Sequence, residues 1–276
     1  MKISDIITSR NNAKVKWAAS LSEKKNRISE GAFIAEGEKL LAEALNAELP
    51  ITHLFINDAD FARISLMLAP KMSCEKYCDT EIIKVSKEVF DKISTEKSPE
   101  GVITVIKNLD FFNIIDIIYK EEFFSSDSER VIALCSVRDP GNLGTIIRSA
   151  VAFGFDRLVL SSDCADLYNP RTVRAAMGGL FKLRVSIVKD FHAFVLMAKE
   201  SGRRVFAAEL SNNAVSLSTV RLESRDIFIV GNEGHGIPKE ISNASTASVY
   251  IPISENTESL NASIAASLLM WEQSKI

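Results

Sequence analysis

The chain holds no apolar run near the roughly 18 residues that a membrane-spanning helix requires. Its opening residues, MKISDIITSR, lack the hydrophobic core of a secretory signal, and the expectation is a cytoplasmic protein with no membrane partner. Cysteine is scarce, with only Cys74, Cys78, Cys135 and Cys164. The first two are close, but no second pair or neighbouring histidine completes a zinc site. The three histidines, His53, His192 and His235, are scattered. No metal is expected, and the cysteines read as free thiols of a reducing compartment. The phosphate loop G-x-x-x-x-G-K-S/T, the dinucleotide signature G-x-G-x-x-G and the nucleophile elbow G-x-S-x-G are missing. So are internal repeats and low-complexity tracts.

Excess positive charge is absent as well. A formal net charge of −3 does not suit a nonspecific nucleic-acid binder, although a local basic field over a site is enough for RNA. Two basic groups stand out. Arg10, Lys14, Lys16, Lys24, Lys25 and Arg27 share one short stretch broken only by Glu23. Arg138, Arg148, Arg171, Arg174, Lys182 and Arg184 make the second.

What is present is an ordinary globular composition, 46% hydrophobic and 25% charged, in 276 residues. That length suits two modest domains or one large one. Strands and short helices alternate: a helix over 12–21, a strand over 33–35, a helix over 38–45, a strand over 51–56 and a helix over 61–68. A strand over 82–85 leading to a helix ending near 93, and a strand over 101–106, close an α/β domain. The pattern breaks between 108 and 130. There Phe111, Phe112, Ile114, Ile115, Ile117 and Ile118 predict a linker helix ending in a polar turn. Alternation then resumes, with strands at 131–135, 157–160, 183–188, 204–209, 226–230 and 248–251 between helices. A mostly parallel sheet is expected there. The domain expectation is 1–107, a linker over 108–128, and 129–276.

Three stretches carry chemistry. VRDPGNLGTIIRSAVAFG (137–154) follows an apolar strand, and reads as a turn of Asp139, Pro140, Gly141 and Asn142 feeding a helix that contains the lone cation Arg148. FIVGNEGHGIP (228–238) is a strand end followed by a glycine-rich loop. IPISENTESLNA (251–262) leads into a closing helix with Ile264, Ala265, Leu268 and Leu269 at helical spacing. Strand ends of this kind form the ligand-binding edge of open α/β sheets. Taken singly, Ser259 suits a helix N-cap and Asn142 a turn.

In this order the three stretches resemble the motifs of the SpoU/TrmH family, RNA 2′-O-ribose methyltransferases that use S-adenosylmethionine. The segment NPRTVRAAMGGLF (169–181) resembles that family too, and residues 9–45 resemble its L30e-like substrate-binding domain. The resemblance implies a C-terminal domain of SPOUT type, a knotted (trefoil), mostly parallel α/β fold, with a smaller N-terminal α/β domain. It implies catalytic roles for Arg148, Asn142, Glu233, Ser259 and Asn261. Gly231, Asn232, Gly236, Ile251, Pro252 and Leu260 would hold the cofactor. Arg10, Lys14, Lys24, Lys25, Arg27, Arg171 and Arg174 would hold RNA. His235 is given no role. The loop SENT (254–257) lacks the glycine that many relatives have there.

The resemblance further implies a homodimer in which Arg148 of one subunit completes the site of the other. A ribose 2′-hydroxyl is a weak nucleophile and needs help to lose its proton. A guanidinium is a poor base, so two accounts stay open for Arg148: a cation stabilising the developing alkoxide, or a base whose proton the site loosens. Ribosomal RNA of the large subunit is the preferred substrate, with transfer RNA, or an RNA-binding protein without turnover, as alternatives.

Overall fold

The computed structural model describes all residues except 72–73, 110–111, 116–122, 125, 127 and 255, with backbone alone for 112–115. The chain divides into two compact units. One comprises residues 1–109 with 166–181, the other 110–165 with 182–276.

The first unit is built on a five-stranded sheet in the order β1-β4-β3-β5-β2. Its strands are β1 (Lys2–Ile3), β2 (Ala32–Glu36), β3 (Ile51–Asn57), β4 (Glu81–Val85) and β5 (Val102–Lys107). β1, β4 and β3 run parallel, while β5 is antiparallel to both its neighbours. The helices over this stretch are α1 (Ala13–Ser20), α2 (Lys24–Glu30), α3 (Glu38–Asn46), α4 (Phe61–Leu68) and α5 (Lys87–Ile93). α1 starts at Asn12, whose side chain accepts the Lys14 N–H at 2.9 Å and satisfies one orphan donor of the first turn. Its Val15 and Ala18, with Leu21, join Ile34, Phe55, Ile83 and Val105 in one apolar core. α2 and β1 have no counterpart in the sequence reading. KKNRISE buries only Arg27, so no apolar stripe announces a helix.

The second unit holds an eight-stranded sheet in the order β11-β13-β10-β12-β7-β8-β9-β6, with every pairing parallel. The strands are β6 (Phe112–Ile115), β7 (Val131–Leu134), β8 (Arg157–Ser161), β9 (Arg184–Val188), β10 (Val205–Ala208), β11 (Val215–Ser216), β12 (Ile227–Val230) and β13 (Ala247–Tyr250). The central strand β7 is fully buried along its length, which is why it reads as an unbroken apolar run.

Helix α6 (Pro140–Ala152) follows β7. Asp139 caps it by accepting the Asn142 N–H at 2.8 Å, with Pro140 at the first helical position. Asn142 is therefore inside the helix and not in the preceding turn. Helix α7 (Pro170–Ala176), capped by Asn169, belongs to the first unit. α8 (Phe191–Glu200), α9 (Lys239–Ala244) and α10 (Ala262–Gln273) belong to the second. α9 and β11 are too short and polar to show a period. The cap of α10 is Asn261 rather than Ser259, since the Asn261 side chain accepts both the N–H and the hydroxyl of Ser263.

Two organisational expectations change. Where a linker helix was expected, residues 112–115 form β6, an edge strand parallel to β9, and Phe123 further along the segment is helical. A dense apolar run serves a parallel strand as well as a buried helix. Phe111, Ile117 and Ile118 lie outside the described residues, as does Glu255 of the 254–257 loop, while at the expected turn the Glu129 N–H donates to the Ser126 carbonyl at 3.2 Å. Residues 166–181, expected in the C-terminal domain, pack with the first unit. Phe33 and Tyr168 stack at 4.4 Å, and Arg27 donates to Asp166.

Candidate functional site

In the second unit a cavity of about 400 Å³ opens at the carboxyl ends of β10, β12 and β13. This is the edge at which parallel α/β sheets bind ligands. Its walls come from the loop after β12, the segment 251–260 after β13, and the start of α10. Of the residues singled out in the sequence, Gly231, Asn232, Glu233, Gly236, Ile251, Ser259 and Leu260 line it. Pro252 is exposed and is not among the lining residues.

The β12 loop is drawn tight. Asn232 and Gly236 exchange both backbone hydrogen bonds, at 3.1 and 2.9 Å. A Cβ on Gly231 would sit 2.6 Å from the backbone of Gly236, so no side chain fits there. The Asn232 side-chain oxygen accepts the N–H groups of Gly234 and His235, and its amide donates to the Ser136 carbonyl at 2.9 Å. One asparagine thus shapes the loop and ties it to the end of β7.

Beside the cavity three residues from three segments converge. The Asn142 side-chain amide donates to Glu233 at 2.6 Å, and the Asn261 amide donates to the Asn142 side-chain oxygen at 3.0 Å. Asn261 is fixed in turn by Ser263. The chain Asn261→Asn142→Glu233 leaves little freedom to any member, a preorganised polar edge next to a ligand-sized cavity.

Arg148 is not part of that network. It is exposed, and no described residue forms a hydrogen bond or ion pair with it. The geometry of α6 gives the reason. Six residues at about 100° each turn its side chain about 120° away from Asn142, and carry it about 9 Å along the axis. Arg148 instead lies in the part of α6 that packs on α10, where Ser149 and Ser267 bond at 2.8 Å and Phe153 meets Trp271 at 5.8 Å. The outer face of α10 exposes Ile264, Leu268 and Trp271.

Two carboxylates escaped the sequence reading. Glu209, just past β10, lines the cavity and accepts hydroxyls from Ser242 and Ser248, both at 2.6 Å on the same oxygen. Asp163, just past β8, accepts Ser161, Ser136 and Arg138. Burial acts to raise its pKa, but those hydrogen bonds outweigh it and bring the carboxyl down to about 2. The usable signal was the same for both: a carboxylate immediately beyond an apolar strand. Burial pushes the nearby Cys135 thiol up to about 11, which makes it inert.

The basic residues expected to meet RNA all fall in the first unit, because α7 packs there. Lys24, Lys25, Arg171 and Arg174 are exposed, and Arg174 pairs with Glu96. Lys14 pairs with Glu81, and Arg10 donates to the Glu88 carbonyl. Arg27 leaves the set of surface cations. It is 3% exposed and bonds the carbonyls of Leu21 and Ser22 and the Asp166 carboxylate, so it braces the fold. No cluster of His, Cys, Asp or Glu able to hold a metal occurs among the described residues, nor a helix long and apolar enough to cross a membrane.

Comparison with known proteins places these features in context. Residues 129–271 match the SpoU rRNA Methylase family, and residues 12–104 match the MRM3-like substrate binding domain. The chain is 30% identical to the 23S rRNA (guanosine(2553)-2′-O)-methyltransferase RlmP of Bacillus subtilis, over 96% of this chain and 97% of that one. It is 26% identical to the 23S rRNA (uridine(2479)-2′-O)-methyltransferase of Streptomyces viridochromogenes, over 96% and 90%. Among solved structures, the AdoMet-bound rRNA methyltransferase from Sinorhizobium meliloti superposes with a TM-score of 0.82 at 27% identity, covering 99% of this chain and 98% of that one.

Proposed function

Because the chain belongs to the SpoU rRNA methylase family, we propose that it transfers the methyl group of S-adenosylmethionine to a ribose 2′-hydroxyl of large-subunit ribosomal RNA. The observation that carries this reading is the Asn261→Asn142→Glu233 network beside a cavity of cofactor size. The cavity chemistry suits the cofactor: Ile251 and Leu260 offer apolar walls to adenine, while Glu209, Glu233 and Glu258 suit a ligand that bears a sulfonium and an ammonium. The tight approach at Gly231 puts backbone polar groups on the wall. S-adenosylmethionine supplies the electrophilic methyl.

The chain's own residues supply position and charge. Asn142, held at both ends of its amide, and Glu233 orient the ribose, with Ser259 and Asn261 supporting them. Methyl transfer would require these residues to hold the 2′-oxygen in line with the methyl group, and the hydroxyl proton would pass to solvent water. Arg148 is the cation that assists this loss. Its direction on α6, away from Asn142, favours an Arg148 donated by a second copy across the exposed α6–α10 face. The protein then acts as a homodimer, with Ile264, Leu268 and Trp271 covered by the partner. RNA rests on Lys24, Lys25, Arg171 and Arg174 of the first unit. The C-terminal knot of the family and a cytoplasmic location belong to the same reading.

The test compares ribosomal RNA from cells with and without the gene, mapping 2′-O-methyl groups by their resistance to alkaline cleavage. One lost site in large-subunit RNA, restored by the purified protein with S-adenosylmethionine, is the expected result. An unchanged ribosomal map with a lost transfer-RNA methylation would overturn the substrate, and no lost site anywhere would overturn the activity.

A further inference from the structure

Ser136, two residues past the end of β7, has φ +59°, a left-handed conformation that residues other than glycine seldom adopt. All its polar groups are engaged. Its N–H donates to the Ser161 hydroxyl at 2.8 Å, its hydroxyl donates to Asp163 Oδ2 at 2.7 Å, and its carbonyl accepts the Asn232 amide at 2.9 Å. The second oxygen of Asp163 accepts the Ser161 hydroxyl at 2.6 Å, and Arg138 donates to Oδ2 at 3.0 Å. One carboxylate therefore holds Ser136 directly and, through Ser161, at its backbone N–H.

The strained residue passes this order on. Its carbonyl fixes Asn232, whose other end organises the N–H groups of Gly234 and His235. The residue between, Glu233, is the one that receives Asn142. Backbone strain persists where its surroundings over-determine it, and it concentrates at functional sites. Here the surroundings are Asp163, which lies outside all three motif stretches.

We propose that Asp163 is a positioning residue for methyl transfer: it holds Ser136 in the left-handed conformation, and so sets the β12 loop that walls the cofactor cavity and carries Glu233. This rests on the reading of that cavity as the cofactor site.

The test is a double-mutant cycle between Asp163→Ala and Ser136→Gly, read by calorimetric binding of S-adenosylmethionine and by turnover on RNA. Thermal unfolding is followed to confirm that each variant is folded. Glycine adopts positive φ without being held there. Asp163→Ala in the wild-type background should weaken cofactor binding about tenfold, whereas in the Ser136→Gly background the same change should cost less than about threefold. A mere loss of stability would lower the melting temperature in both backgrounds without this difference. Asp163→Asn, which keeps one acceptor oxygen, should fall between. Equal losses in both backgrounds overturn the proposal, as does wild-type binding by Asp163→Ala. Leu260→Arg, which fills the cavity, separates the two readings. If it abolishes binding while Asp163→Ala does not, only the positioning role fails; if neither affects binding, the cavity assignment fails with it.

Discussion

The side-chain amide of Asn261 donates to the side-chain oxygen of Asn142 at 3.0 Å across 119 positions of sequence, and so fixes which end of Asn142 faces Glu233. Asn142 then has its amide group for the Glu233 carboxylate and its carbonyl for Asn261, and no other rotation satisfies both. Asn142→Asp keeps the shape but sets a second carboxylate against Glu233. Turnover should fall about a hundredfold, with cofactor affinity within about threefold of the parent. Turnover within about threefold of the parent, measured with saturating RNA, would show that this contact does not order the site.

If Arg148 acts across a dimer, complementation follows from arithmetic. Arg148→Ala and Asn142→Asp should each be nearly inactive as pure proteins. Mixed and allowed to exchange subunits, about half the dimers are heterodimers, and each has one site free of both lesions. Activity of about a quarter of wild type should appear on mixing. No gain, with exchange verified by native mass spectrometry, would place Arg148 in its own subunit's site.

Glu209 carries the prediction for cofactor binding. Two serine hydroxyls hold one of its oxygens, and the side chain lies on the cavity wall. Glu209→Gln keeps the size while removing charge and one acceptor. S-adenosylmethionine should bind about tenfold more weakly, a cost typical of one lost charge-assisted hydrogen bond. RNA affinity, measured without cofactor, should not change. An unaltered cofactor affinity would mean that Glu209 serves the Ser242–Ser248 junction alone.

Much of this molecule was readable in one dimension, and the exceptions share causes. Strands such as Val131–Leu134 announce themselves because both faces of a parallel sheet are buried, and α6 because a capping aspartate precedes a proline and an apolar stripe. α2 gives no signal because its sole buried residue is an arginine. The motif residues could be named, yet their pairing could not, since Asn142, Glu233 and Asn261 meet only through chain reversals. Residues 166–181 mislead for a similar reason: contacts made by Asp166 and Tyr168, not sequence order, decide which unit they join. Arg27 was grouped with Lys24 and Lys25 because neighbouring cations look alike until burial separates them.

That separation can be measured. Arg27→Ala removes one member of a buried pair and leaves the Leu21 and Ser22 carbonyls without their donor. It should destabilise the first unit by about 3 kcal/mol in denaturant titrations. Lys24→Glu with Lys25→Glu lies on the exposed face of α2 and should leave stability within about 0.5 kcal/mol. The same pair should weaken RNA binding several-fold and flatten its salt dependence. Equal stability losses in the two variants would contradict the assigned burial, and an unchanged salt slope would remove α2 from the RNA surface.

Acid sensitivity follows from Asp163. Its carboxyl lies at about 2 in the folded protein, below the ordinary aspartate value near 3.9, because hydrogen bonds from Ser161, Ser136 and Arg138 favour the charged form over the opposing effect of burial. A depressed pKa contributes stability that is fully present above the unfolded value and is lost as pH falls through the folded one. The contribution should therefore be flat above about pH 5 and disappear between about pH 4 and 2. Its size is limited, since the side chain is 44% exposed and partly screened. Asp163→Asn should lower stability at neutral pH and reduce the acid slope in that window, so that the two proteins converge near pH 2. Parallel stability curves for parent and variant, followed by chemical denaturation from pH 7 to pH 2, would show that the Ser136–Ser161–Arg138 cluster draws no net stabilisation from the ionised carboxylate.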